Sequence, residues 1–134
     1  MSDRTPHTSA VLDGLDRLEG LDVERLDALR DLDPGETGYL DRAIANFQVT
    51  STDAVAAIRA AVAEGDGVVV RARSHKIAGS ALNLGCRRAG SVAQGLELAA
   101  DREDAVRDAD LAELDDAMAE ARALLLRYRE TYAS

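Results

Sequence analysis

Arg71-Ala72-Arg73-Ser74-His75-Lys76-Ile77-Ala78-Gly79-Ser80-Ala81-Leu82-Asn83-Leu84-Gly85 is the stretch on which the reading of this chain turns. At about 100° per residue, Val70, Ser74, Ile77, Ala81 and Leu84 fall at i, i+4, i+7, i+11 and i+14, the core-facing stripe of a helix. His75 lies about 200° from Ile77 and therefore points outward. Its neighbours on that face are Val68, Arg71, Ala72, Ala78, Gly79 and Leu82, mostly small, where a solvated helix ordinarily carries long charged side chains. Gly79, one turn on, costs roughly 1 kcal/mol of helix stability relative to Ala. A lone exposed histidine is usually just a surface residue, but that reading explains neither the glycine nor the small flanks. The segment reads as an imidazole displayed on a surface that something large must approach.

Amphipathic helical text continues on both sides. Upstream, residues 1–9 are polar, carry Pro6 and show no period, as in a disordered leader. Val11, Leu12, Leu15 and Leu18 have helical spacing before Gly20, and Asp22 is placed to cap a second short helix carrying Val23, Leu26 and Leu29. Asp33-Pro34-Gly35 is a turn. A long helix over about residues 36–49 carries Leu40, Ile44 and Phe47, and Thr50-Ser51-Thr52-Asp53 resembles a helix start before Val55, Ile58 and Val62. That leaves a choice between one kinked helix and two antiparallel ones. Downstream of the stop at Gly85, one helix runs from residue 87 or 89 to 100, and the last from 108 or 110 to 132. The last places Leu111, Leu114, Met118, Ala121 and Leu125 on one stripe. The Leu124-Leu125-Leu126 run is wider than that stripe needs, leaving the N-terminal helix or a second subunit to cover it; a monomer is expected. The fold class is all-α: an antiparallel up-down four-helix bundle with a short N-terminal helical extension, one domain over residues 10–134.

Composition agrees and narrows the function. Of 134 residues, 46% are hydrophobic but only 3% aromatic, so the core must be built from Ala, Leu and Val, which suits close-packed helices. A net charge of −9 with so few rings offers nucleic acid neither a positive field nor a stacking platform. No apolar run reaches the roughly 20 residues a membrane span needs, and no signal-peptide core opens the chain. Cys86 is the single cysteine, which fits a reducing cytoplasm, and two histidines, His7 and His75, are too few for a His-rich metal site. His7 falls in the leader.

His75 is thus the one residue placed for chemistry. Imidazole is a nucleophile at neutral pH because much of it is unprotonated. A phosphoryl group on it would carry about two negative charges and need a cation nearby. Arg71 shares its face four residues earlier, and Lys76 is adjacent with a stem long enough to curl back. No partner base, acid or pocket signal supports a hydrolase.

The run from His75 through Gly85 resembles the signature of histidine-containing phosphotransfer (HPt) domains, roughly H-x-L-K-G-S-[SA]-x-x-[LIV]-G-[AC]. Gly65-Asp66 before the helix, Phe47 in the preceding helix and Leu96-Glu97 in the following one extend the likeness over residues 21–128. The resemblance implies a non-enzymatic phosphocarrier in a His-Asp phosphorelay, taking a phosphoryl group on His75 from the aspartate of one receiver domain and passing it to another. From their places around His75 on the helix, Arg71 and Lys76 are the candidate phosphate-stabilising residues and Val68, Ala72, Ala78, Gly79 and Leu82 the candidate receiver-docking face, Gly79 being the residue that the resemblance implies lets the receiver approach. The partners would be a response-regulator receiver domain and a hybrid histidine kinase. No cofactor or metal is expected in this chain, magnesium belonging to the receiver. One residue departs from the pattern: Ala78 stands where the family usually has a lysine. That departure sustains a second reading, a helical-bundle adaptor that binds a receiver or kinase without taking phosphate.

Overall fold

A computed structural model of the chain describes residues 20–32 and 38–133, all helical apart from short turns. The polar leader, the helix expected around Val11 to Leu18 and the Asp33-Pro34-Gly35 turn lie outside the described residues. Among the described residues five helices follow in order: α1 (Val23–Asp31), α2 (Gly38–Glu64), α3 (Gly67–Asn83), α4 (Arg87–Asp101) and α5 (Asp108–Ala133). Each of α2 to α5 packs on its neighbours in sequence, and α5 closes back on α2, which is the antiparallel four-helix bundle expected.

The helix starts follow from local chemistry. Asp22 accepts the Arg25 N–H at 3.1 Å and Asp66 accepts the Val69 N–H at 3.2 Å, each satisfying a first-turn donor. At α5 the Asp110 carboxylate reaches back to the Arg107 N–H at 2.9 Å. Gly65 and Gly85, in the tight turns before and after α3, take φ of +71° and +75°, where an L side chain is strained.

One sequence feature is resolved against a helix boundary. Thr50-Ser51-Thr52-Asp53 does not start a helix; α2 runs unbroken through it. The Ser51 hydroxyl donates to the Phe47 carbonyl at 2.6 Å and the Thr52 hydroxyl to that of Gln48 at 3.0 Å, so both bond within the helix instead of capping one. Ser51 is fully buried and also accepts from Arg122 Nη1 at 3.0 Å, which ties α2 to α5.

The core is aliphatic. Ile44, Ile58, Leu114, Met118 and Leu125 are wholly buried, with Phe47 and Tyr128 as the large rings among them. Every stripe residue expected on α3 (Val70, Ser74, Ile77, Ala81, Leu84) is buried. Helices α2 and α5 are longer than α3 and α4: 27 against 17 residues for α2 and α3 is an overhang of about 15 Å. Helix α1 covers that end. Its Leu26 is fully buried, Asp27 accepts the Tyr128 hydroxyl at 2.8 Å, and Asp22 N donates to the Gly85 carbonyl at 2.8 Å. Arg25 grips the last turn of α3, donating to the Asn83 carbonyl at 2.9 Å and to Asn83 Oδ1 at 2.6 Å.

Candidate functional site

Helix α3 carries Arg71, Arg73, His75 and Lys76 and no carboxylate, a cationic element in a chain of net charge −9. Its inner face fixes its rotation, because Val70, Ser74, Ile77 and Ala81 must all meet the core. His75 is left on the outside, its side chain 74% exposed.

The imidazole is nonetheless held. His75 Nδ1 lies 2.8 Å from Glu97 Oε2 on α4. A carboxylate only accepts, so Nδ1 carries the hydrogen in this pairing, and in the neutral ring the lone pair is then on Nε2. Sequence reasoning noted Glu97 only as half of a family-like pair and assigned it no part in the site. Its nearness depends on how α3 and α4 pack, which a wheel of α3 alone does not show.

Of the expected docking residues, Val68, Ala72, Gly79 and Leu82 are exposed on the face that carries His75. A Cβ added to Gly79 would meet nothing within 4 Å, so the backbone there is open to an approaching surface. Ala78 is different. It is only 3% exposed and does not belong to the accessible face. It sits about 60° round the helix from His75, towards Ser74. Helix α4 occupies that flank, as Glu97 beside His75 and Gly90 under Leu82 demonstrate.

Arg71 and Lys76 are exposed, and among the described residues neither has an ion pair to hold it elsewhere. Arg87 and Arg88 are otherwise engaged, Arg87 with Asp22 at 3.6 Å and Arg88 with Asp116 at 3.1 Å and Glu120 at 3.6 Å. Both tie α4 to neighbouring elements of the bundle. Val68 and Arg71 also border a groove of about 670 Å³ at the N-terminal end of α3, but Asp66, Asp101 and Asp104 line it, the wrong charge for a phosphate pocket. Cys86 is buried, and burial pushes its thiol up to about 12, so it is no nucleophile. Among the described residues no group of three His, Cys, Asp or Glu side chains is placed to hold a metal, and no helix is long and apolar enough to cross a membrane.

The described residues thus present an exposed imidazole, bonded to one carboxylate, on the flank of a helical bundle, where another protein's surface can reach it. The family model of the Hpt domain matches residues 42–124, covering most of α2, all of α3 and α4 and most of α5; the chain belongs to the Hpt domain family, and its function is histidine phosphotransfer in a phosphorelay. Among solved structures it is similar to histidine-containing phosphotransfer protein B from Pseudomonas aeruginosa PAO1, with a TM-score of 0.75 at 24% identity over 85% of this chain and 97% of that one. That likeness is one of fold. A comparison with curated proteins gave no match.

Proposed function

We propose that His75 is the phosphoacceptor and that it works as a relay intermediate between two receiver domains, without turnover of its own. The observation that carries this is the His75 Nδ1 to Glu97 Oε2 bond of 2.8 Å, which leaves Nε2 as the exposed nucleophile. Nε2 attacks the phosphorus of an aspartyl phosphate on the docked receiver. The P–O bond to the aspartate breaks, its electron pair returns to the carboxylate, and the N–P bond forms. The Nδ1 proton stays where it is. Positive charge that builds on the ring is balanced by Glu97, as a buried carboxylate does for a catalytic histidine. Return of the phosphoryl group to a second receiver is the same path reversed.

Arg71 and Lys76 are the cations available to the transferred group, and the exposed Val68, Ala72, Gly79 and Leu82 form the docking face. The receiver supplies magnesium and the acidic pocket; α3, with three cations and no acid, complements such a pocket within an otherwise acidic protein. The partners are then a response-regulator receiver domain and a hybrid histidine kinase, met by a monomer in the cytoplasm.

Radiolabel transfer from a phosphorylated receiver is the test. The wild type takes label and His75→Gln does not; equal labelling of both overturns the assignment. Ala78, which brings no lysine to the site, favours the adaptor alternative, and tight receiver binding without any label on the wild type would select it.

A further inference from the structure

The His75–Glu97 bond requires α3 and α4 to stop at one register, since a slide of one residue, about 1.5 Å, would part a 2.8 Å contact. The buried residues near this seam are mostly alanines (Ala78, Ala81, Ala89, Ala93), short side chains that interlock little. One feature does interlock. A Cβ at Gly90 would fall 2.5 Å from Leu82 Cγ and nearer still to Cδ2, so Leu82 lies in the space a side chain at position 90 would fill. Gly90 closes the first turn of α4, its N–H donating to the Cys86 carbonyl at 3.0 Å, and it is not among the positive-φ glycines, so its backbone does not call for glycine. Glycine is also a poor helix former, and the space above it is the reason left for its presence.

The two contacts share one register. Leu82 follows His75 by seven residues on α3, and Gly90 precedes Glu97 by seven on α4, as antiparallel helices demand. We propose that Gly90 is a positioning residue: its absent side chain is the socket for Leu82, and this lock, two turns away, sets the register that aims Glu97 at His75 Nδ1. The inference rests on His75 being the phosphoacceptor, but the ring itself can be read without any phosphotransfer.

The experiment compares wild type, Gly90→Ala and Leu82→Ala. Long-range ¹⁵N–¹H NMR of the imidazole nitrogens reports the tautomer, and thermal unfolding reports the fold. In Gly90→Ala the wild-type preference for Nδ1–H gives way to the pattern of a free imidazole, and phosphotransfer from a charged receiver slows by roughly fivefold or more. Leu82→Ala, which empties the socket, loses the wild-type ring pattern in the same way. A folded Gly90→Ala with wild-type ring resonances overturns the proposal, because Leu82 has then merely swung into solvent. If Gly90→Ala does not fold, Leu82→Ala decides. Folded with a free-imidazole ring it supports the lock; folded with the wild-type ring, or unfolded, it overturns it. A wild type that takes no label would refute the phosphoacceptor reading and leave the ring result standing.

Discussion

His75 Nδ1 stands 2.8 Å from Glu97 Oε2 across the seam between α3 and α4, the imidazole 74% exposed and the carboxylate 25%. The pair joins a reactive residue to a half-buried support, so the two ends tolerate change differently. Glu97→Gln keeps the shape and removes the charge that balances the ring during transfer. Transfer is expected to slow by about tenfold or more, with the unfolding midpoint little changed because the imidazole end of the pair is exposed and Gln keeps the shape of Glu97. Quench-flow with a phosphorylated receiver measures the first, a urea titration the second. An unaltered transfer rate would remove Glu97 from the reaction.

Gly79 separates stability from docking. It is exposed, and a Cβ there meets nothing. Gly79→Ala should therefore raise stability by up to about 1 kcal/mol, the helix-propensity difference. Gly79→Leu, which fills the approach to the backbone, should weaken receiver binding at least severalfold without unfolding the bundle. Calorimetric titration with a receiver domain checks the pair of variants.

Two turn glycines give a controlled comparison. Gly85 and Gly65 have φ of +75° and +71°, but a Cβ at Gly85 would lie 2.9 Å from the Asp22 carbonyl oxygen while one at Gly65 would touch nothing. Gly65→Ala should cost about 1–2 kcal/mol for the left-handed backbone alone. Gly85→Ala should cost more, because α1 must also move away from the α3–α4 turn. Denaturant unfolding of both variants tests the order.

Alkaline pH should loosen the fold. Burial pushes the Cys86 thiol from 9.0 up to about 12, with the Glu120 charge adding to it, and burial pushes the Tyr128 hydroxyl from 10.0 up to about 12. Between about pH 9 and 12 the unfolded chain releases these protons while the folded chain keeps them. The folded state then binds more protons, so stability falls as pH rises and levels off above both folded values. Urea midpoints taken from pH 8 to 11 should decline, and Cys86→Ala should delay the onset.

Much of this was written in single-helix patterns. The 3.6-residue spacing of Val70, Ile77 and Leu84 turned His75 outward, Asp22 and Asp66 announced the starts of α1 and α3, and Gly85 announced a stop. What a single helix does not contain is its neighbour. Ala78 belongs to the outer half of the wheel, and only the flank chosen by α4 buries it. Glu97 lies 22 residues from His75, and its role depends on a register that the Leu82–Gly90 fit helps define. Ser51 and Thr52 have the composition of a cap, but a hydroxyl bonds equally well to a carbonyl one turn back, and the sequence does not distinguish the two uses.

The attachment of α1 also sets an order of assembly. Its side-chain hydrogen bonds from Arg25 to Asn83 and from Asp27 to Tyr128 join residues 58 and 101 apart in the chain, beside the nearer Arg30–Asp41 ion pair at 3.8 Å. Neither of those long-range partners is in place until α3 and α5 have formed, so α1 is expected to dock late and to leave early. Substitutions on it should therefore accelerate unfolding and leave the folding rate nearly untouched. Amide exchange in its first turns should likewise report partial opening of the bundle well before the segment bearing the imidazole lets go.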